Sequence, residues 1–112
     1  MKCAIPLSDG AVAMHFGHCQ QFALIDVDEN KKEVLNITPV TPPAHEPGLL
    51  PRWLAGQGVT LVIAGGMGAR AHDILRENGI EVVLGVRAND PKQAVAEYLD
   101  GTLASGGNLC DH

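Results

Sequence analysis

"VTLVIAGGMGARAHDILRENGIEVVLG", residues 59–85, decides the fold. It opens on Val59 to Ala64, a continuous aliphatic and β-branched run of the kind found in strands covered on both faces. The chain then passes through glycines into Ala71, Ile74, Leu75 and Asn78, which repeat with a helical period. Gly79 stands where a helix needs a left-handed terminating residue. "IEVVLG" at 80–85 repeats the buried-strand signal. Two strands joined through one helix make a crossover, and such crossovers are right-handed, so the two strands are expected to be parallel.

Downstream, "NDPKQAVAEYLDG" (89–101) reads as another helix. Asn89 or Asp90 is its cap, Pro91 its first residue, Ala94, Val95, Tyr98 and Leu99 its buried stripe, and Gly101 its terminator. Upstream lie three strand-like runs. "KCAIPL" (2–7) is short and apolar, and its Pro6 is expected at an edge or at the strand's end. "QFALIDV" (21–27) and "KEVLNIT" (32–38) flank the polar "DENK", a hairpin signal that makes them antiparallel. "PVTPPAHEPG" (39–48) holds four prolines and reads as an extended connection. After it, Leu50, Trp53 and Leu54 fall at helical spacing, with Pro51 in the first turn and "GQG" as the stop.

The expected architecture is α/β: a mixed five-stranded sheet, its first three strands antiparallel, followed by alternating helix and strand and flanked by helices. Residues 1–104 form one domain and 105–112 a flexible C-terminal tail. Ligands of such sheets bind outside the carboxyl ends of the parallel strands.

The composition narrows the function. Eight Lys and Arg against thirteen Asp and Glu leave a net charge of −5 with no basic cluster, which argues against nucleic-acid binding. No tract is apolar enough to cross a bilayer, and "MKCAIPLSDG" lacks the apolar core of a secretory signal, so no membrane association and a cytoplasmic location are expected. Cys3, Cys19 and Cys110 are odd in number and far apart, which does not suggest a disulfide framework. Cys3 reads as a small buried hydrophobe.

Two segments could carry chemistry. In "AGGMGARA" (64–71), Gly65, Gly66 and Gly68 let the backbone approach a ligand closely. The helix start adds N–H donors and the positive end of a dipole, and Arg70 a full charge, so an anion could be held there. Gly66, Gly68 and Ala71 also fit G-x-G-x-x-A formally, but the chain is too short for a dinucleotide site and the acidic ribose ligand is missing. The other segment is "MHFGHCQQF" (14–22), in which His15, His18 and Cys19 are possible ligands for soft or borderline metals. Cys110 and His112 form a second thiol and imidazole pair that could join them if the tail folds back. His45 and His72 read as ordinary exposed side chains, and Met14 and Met67 as packing residues bordering the two loops. There is no G-x-S-x-G elbow or nucleophile–base set, so catalysis is not expected.

"MHFGHCQQF" before a strand, "VIAGGMGARAHDILRENGIEVV", the "AVAEYLDGTLA" helix and a Cys/His ending together resemble the dinitrogenase iron-molybdenum cofactor-binding family, which includes nitrogenase cofactor carriers and orange-protein-like binders of a molybdenum–copper sulfide cluster. "F-G-x-x-x-x-F" and "G-G-M-G-x-R-A" carry the resemblance most specifically. It implies a ribonuclease H-like fold without nuclease activity: the carboxylates that nuclease chemistry needs on the first and fourth strands are replaced by Pro6 and by Ala64 and Gly65, with only Asp9 near. It implies non-catalytic binding or carriage of a metal–sulfur cluster, of iron-molybdenum or molybdenum–copper type, exchanged with a donor or acceptor protein. By motif, Phe16, Gly17 and Phe22 shape the first loop and Gly65, Gly66, Met67 and Gly68 the second. The expected site joins Met14 through Cys19 to Gly65 through Arg70. Two alternatives stay open, a glycine-loop module for an anionic small molecule or nucleotide and a thiol redox or metal sensor using Cys19 and Cys110. The oligomeric state is open as well.

Overall fold

The alternation of buried side chains along β1 (Lys2–Ser8) places this strand at the centre of the sheet. Cys3, Ile5 and Leu7 enter one hydrophobic cluster, while Ala4 enters another on the opposite face, as the two-residue period of a strand requires. The structure, a computed structural model, describes residues 1–13, 16, 19–43, 49–86 and 90–103.

The remaining elements in chain order are β2 (Ala11–Val12), β3 (Gln21–Asp28), β4 (Glu33–Val40), α1 (Leu49–Gly56), β5 (Leu61–Ile63), α2 (Ala69–Glu77), β6 (Glu81–Val83) and α3 (Pro91–Asp100). The main sheet runs β4-β3-β1-β5-β6. β1 pairs antiparallel with β3, and β3 with β4, while β5 is parallel to both β1 and β6. The molecule is thus a mixed sheet flanked by helices. Ala94 and Val95 of α3 cover the face carrying Cys3, Ile25 and Ile63, and Leu50 and Leu54 of α1 with Leu75 of α2 cover the face carrying Phe22, Leu24 and Val62. Each such buried aliphatic or aromatic side chain contributes roughly 1.5–3 kcal/mol.

Three details differ from the sequence expectation. Where five strands are expected the sheet has six among the described residues, because β2 folds back on β1 with Ser8 opposite Ala11. Asp9 and Gly10 form that two-residue turn at φ 53 and 81, the left-handed pair that a tight hairpin demands. Pro6 lies inside the central strand instead of at an edge or end. Its carbonyl accepts from the Ala13 N–H at 2.7 Å. The N–H that proline lacks would point to the same side, where β2 has just ended, so no long ladder is broken. Finally, β6 is an edge strand with Glu81 exposed, not a second fully buried strand. The Tyr98 hydroxyl of α3 donates to Glu81 Oε2 at 2.9 Å across it.

The helix boundaries follow their caps. The Asp90 carboxylate accepts from the Lys92 N–H at 3.0 Å, Pro91 opens α3, and Gly101 closes it at φ 77; Asn89, the other candidate cap, lies outside the described residues. β4, the opposite edge, is exposed over most of its length, with a register shift opposite Asp26 and Val27 that leaves Leu35 extra and 62% exposed. Among the described residues no helix is long and apolar enough to cross a membrane.

Candidate functional site

The parallel strands β1, β5 and β6 point the same way, so the turns that follow them gather at one end of the sheet. The chain leaves β2 at Ala13, bound to Pro6, and returns at Gln20, whose N–H donates to the Leu7 carbonyl at 2.8 Å. The segment between them therefore starts and finishes against the carboxyl end of β1. Within it, the Phe16 N–H donates to the Gly66 carbonyl at 2.9 Å. That bond joins the two segments from which the sequence reading expects the site to be built.

Side chains reinforce the junction from beneath. Phe16 and Met67 are 2% and 1% exposed and belong to one core cluster with Phe22 and Leu75. The Phe16 and Phe22 rings meet edge to face at 5.4 Å, and Phe22 in turn packs on Trp53 at 5.9 Å. Phe16 and Met67 thus anchor the loops and do not face solvent.

The glycine turn divides into two parts. Gly65 and Gly66 are buried. Gly66 is held by Phe16, and the Gly65 carbonyl accepts from the Gly85 N–H at 2.9 Å. Gly68, Ala69 and Arg70 are exposed. Gly68 caps α2 from an extended conformation (φ −67, ψ 153) without any side-chain cap bond, and a Cβ built there meets nothing within 4 Å. The first turn of α2 contains no acidic residue and instead carries Arg70, exposed. A cation at the positive end of a helix dipole is locally unfavourable, so this arrangement is better suited to an external anion than to helix stability. His72 sits half-buried in the same turn, its N–H on the Gly68 carbonyl at 3.1 Å.

Cys19 is half-buried against the same cluster as Phe16. Burial pushes its thiol up to about 11, partly offset by a backbone hydrogen bond, so it is neutral near pH 7. Cys3 is fully buried, as its sequence context predicts. Met14, His15, Gly17, His18, His45, Cys110 and His112, with the 105–112 tail, lie outside the described residues. Among the described residues no three His, Cys, Asp or Glu side chains come together as a metal site.

Sequence reasoning missed Gly85. Its signal was a glycine directly after a strand-like run, at the same place in its unit as Gly65 after β5, and it turns at φ 75.

Residues 1–101 match the family model described as "Dinitrogenase iron-molybdenum cofactor". A curated relative, the uncharacterized protein MJ0580 of Methanocaldococcus jannaschii, is 27% identical over 109 residues, covering 92% of this chain and 89% of that one. Among solved structures, the crystal structure of PH0822 superposes with a TM-score of 0.87 at 29% identity, covering 97% of this chain and 99% of the other. The apo form of the orange protein (ORP) from Desulfovibrio gigas superposes with a TM-score of 0.75 at 24% identity, covering 96% and 93%. That last likeness is one of fold.

Proposed function

Because this chain belongs to the dinitrogenase iron-molybdenum cofactor family, we propose that it binds and carries an inorganic metal–sulfur cluster as cargo, without catalysing a reaction on it. The observation that supports this reading is the 2.9 Å bond from the Phe16 N–H to the Gly66 carbonyl, which ties Phe16 to the glycine turn. The cluster is of iron-molybdenum or molybdenum–copper sulfide type, passed from a donor or to an acceptor protein. The strand order β4-β3-β1-β5-β6, with only β3 running against the rest of the main path, supports a ribonuclease H-like architecture put to this use.

The residues present fit such a cargo. A thiometalate is a polyanion, and a chain of net charge −5 must reverse its sign locally to hold one. The start of α2, free of acidic residues and flanked by Arg70, does so. The open space above Gly68 admits a bulky group to the backbone. Cys19, half-buried against the same core cluster as Phe16, supplies a thiol on the other loop. Cytoplasmic reducing conditions keep such a thiol free. A nucleotide module using the glycine turn alone is a poorer fit, since Gly65 and Gly66 are buried and leave Gly68 as the exposed glycine of the turn.

The test is anaerobic reconstitution of the metal-free chain with tetrathiomolybdate plus copper(I), and separately with isolated iron-molybdenum cofactor. Charge-transfer absorption co-eluting with the protein on a sizing column is expected from at least one of them. Colourless protein from both would refute the reading.

A further inference from the structure

Just beyond the end of β5 the chain bends at Gly65, and the carbonyls of Gly65 and Gly66 are each held by a different turn. The Gly66 carbonyl takes the Phe16 N–H at 2.9 Å on the β1 side, and the Gly65 carbonyl takes the Gly85 N–H at 2.9 Å on the β6 side. Beyond the last ladder pair, Ile63 with Val83, the two chains stay joined by irregular bonds: Ala64 N–H donates to the Val83 carbonyl at 3.0 Å, and Val86 N–H to the Ala64 carbonyl at 3.4 Å. Gly85 sits within this stretch, buried, with φ 75. At that angle an L side chain crowds the following carbonyl, so the turn that aims the Gly85 N–H at Gly65 depends on glycine.

We propose that Gly85 is a positioning residue of the cargo site, resting on the cluster-carrier reading above. Gly85 and Phe16 are the two jaws of a clamp on the successive carbonyls of Gly65 and Gly66. Only Met67 and Gly68 separate Gly66 from the first residue of α2, so the clamp sets where the first turn of α2, with Arg70, is aimed. Gly85 touches no cargo itself, and acts through Gly65. The third turn after a parallel strand thereby becomes part of a site that the other two turns were expected to form alone.

The experiment compares the full chain with Gly85→Ala and Gly85→Asn. Asparagine tolerates the left-handed region far better than alanine. Two quantities are measured: anaerobic equilibrium dialysis of tetrathiomolybdate with copper(I), and amide hydrogen exchange of the metal-free proteins. Uptake by Gly85→Ala is expected to weaken about tenfold, as a strain of this kind displaces the turn in most molecules, with Gly85→Asn recovering much of the loss. Exchange at the Phe16 amide, on the far jaw, should accelerate in Gly85→Ala and return toward the wild-type rate in Gly85→Asn. If wild type takes up the cluster and Gly85→Ala takes it up equally well, or if the Phe16 amide exchanges at the same rate in all three, the positioning role is overturned while the carrier reading stands. If wild type takes up nothing, the carrier reading falls and this inference falls with it.

Discussion

The ring of Phe16 stands edge-on to the ring of Phe22 at 5.4 Å, with an interplanar angle of 63°. One residue comes from the loop over the site and the other from β3, so the contact ties the loop to the sheet. Phe22 passes the contact on to Trp53 in α1 at 5.9 Å. Edge-to-face pairs of this kind add about 0.5–1.5 kcal/mol beyond the area they bury.

Replacing Phe16 by Leu therefore removes the ring pair and part of the buried volume, while Phe16→Ala leaves a cavity that costs about 3–5 kcal/mol. Trp53 is the single tryptophan and packs on Phe22, so its fluorescence reports unfolding of this layer. Urea titration should place Phe16→Leu between wild type and Phe16→Ala. Identical midpoints for wild type and Phe16→Ala would mean the ring is not an anchor.

How far the sequence reveals these relations depends on whether a relation is local. Asp90, Pro91 and Gly101 bound α3 as read, because a cap and its helix lie within a few residues of one another. The unbroken aliphatic run of β5 likewise announces burial on both faces. Asp9-Gly10 is a hairpin signal too, but β2 has only two residues and shows no alternation to support it. The edge position of β6 and the interior position of Pro6 depend on which strands stand beside them, which no short stretch encodes. For the site, the two loops were legible as motifs, whereas the burial of Gly65 and Gly66 and the part played by Gly85 arise only when three turns meet.

The α3 cap gives a second expectation. Asp90→Ala removes the acceptor of the Lys92 N–H bond at 3.0 Å and should cost about 1 kcal/mol, with Asp90→Ser recovering most of it. Thermal unfolding followed by circular dichroism measures both. Equal melting temperatures for wild type and Asp90→Ala would show that Pro91 alone suffices to start the helix.

Alkaline pH tests the burial of Cys3. Desolvation raises its thiol from 9.0 to about 12 in the folded chain. Above pH 9 the unfolded chain releases this proton while the folded chain keeps it, so the stabilisation is whole below pH 9 and is lost as pH rises toward 12. The slope is about 1.4 kcal/mol per pH unit for one proton. Tyr98 is also raised, by burial first and then by its bond to Glu81, and acts in the same direction. Urea stability measured between pH 8 and pH 10.5 should decline in wild type and decline less steeply in Cys3→Ala. Parallel slopes would remove Cys3 as the cause.

Gly68 separates binding from folding most sharply. Its φ of −67 is open to any residue, and a Cβ there meets no atom within 4 Å, so the fold does not require glycine. Aspartate is a better N-cap than glycine by a few tenths of a kcal/mol, and its charge suits the start of a helix. Gly68→Asp should therefore raise the urea midpoint slightly. The same carboxylate fills the space above the backbone and puts negative charge where a thiometalate would sit, beside Arg70, so uptake of tetrathiomolybdate with copper(I) should fall at least tenfold. Gly68→Asn, similar in size and uncharged, should fall less, which divides the loss between bulk and charge. Undiminished uptake by a stably folded Gly68→Asp would place the cargo away from the start of α2.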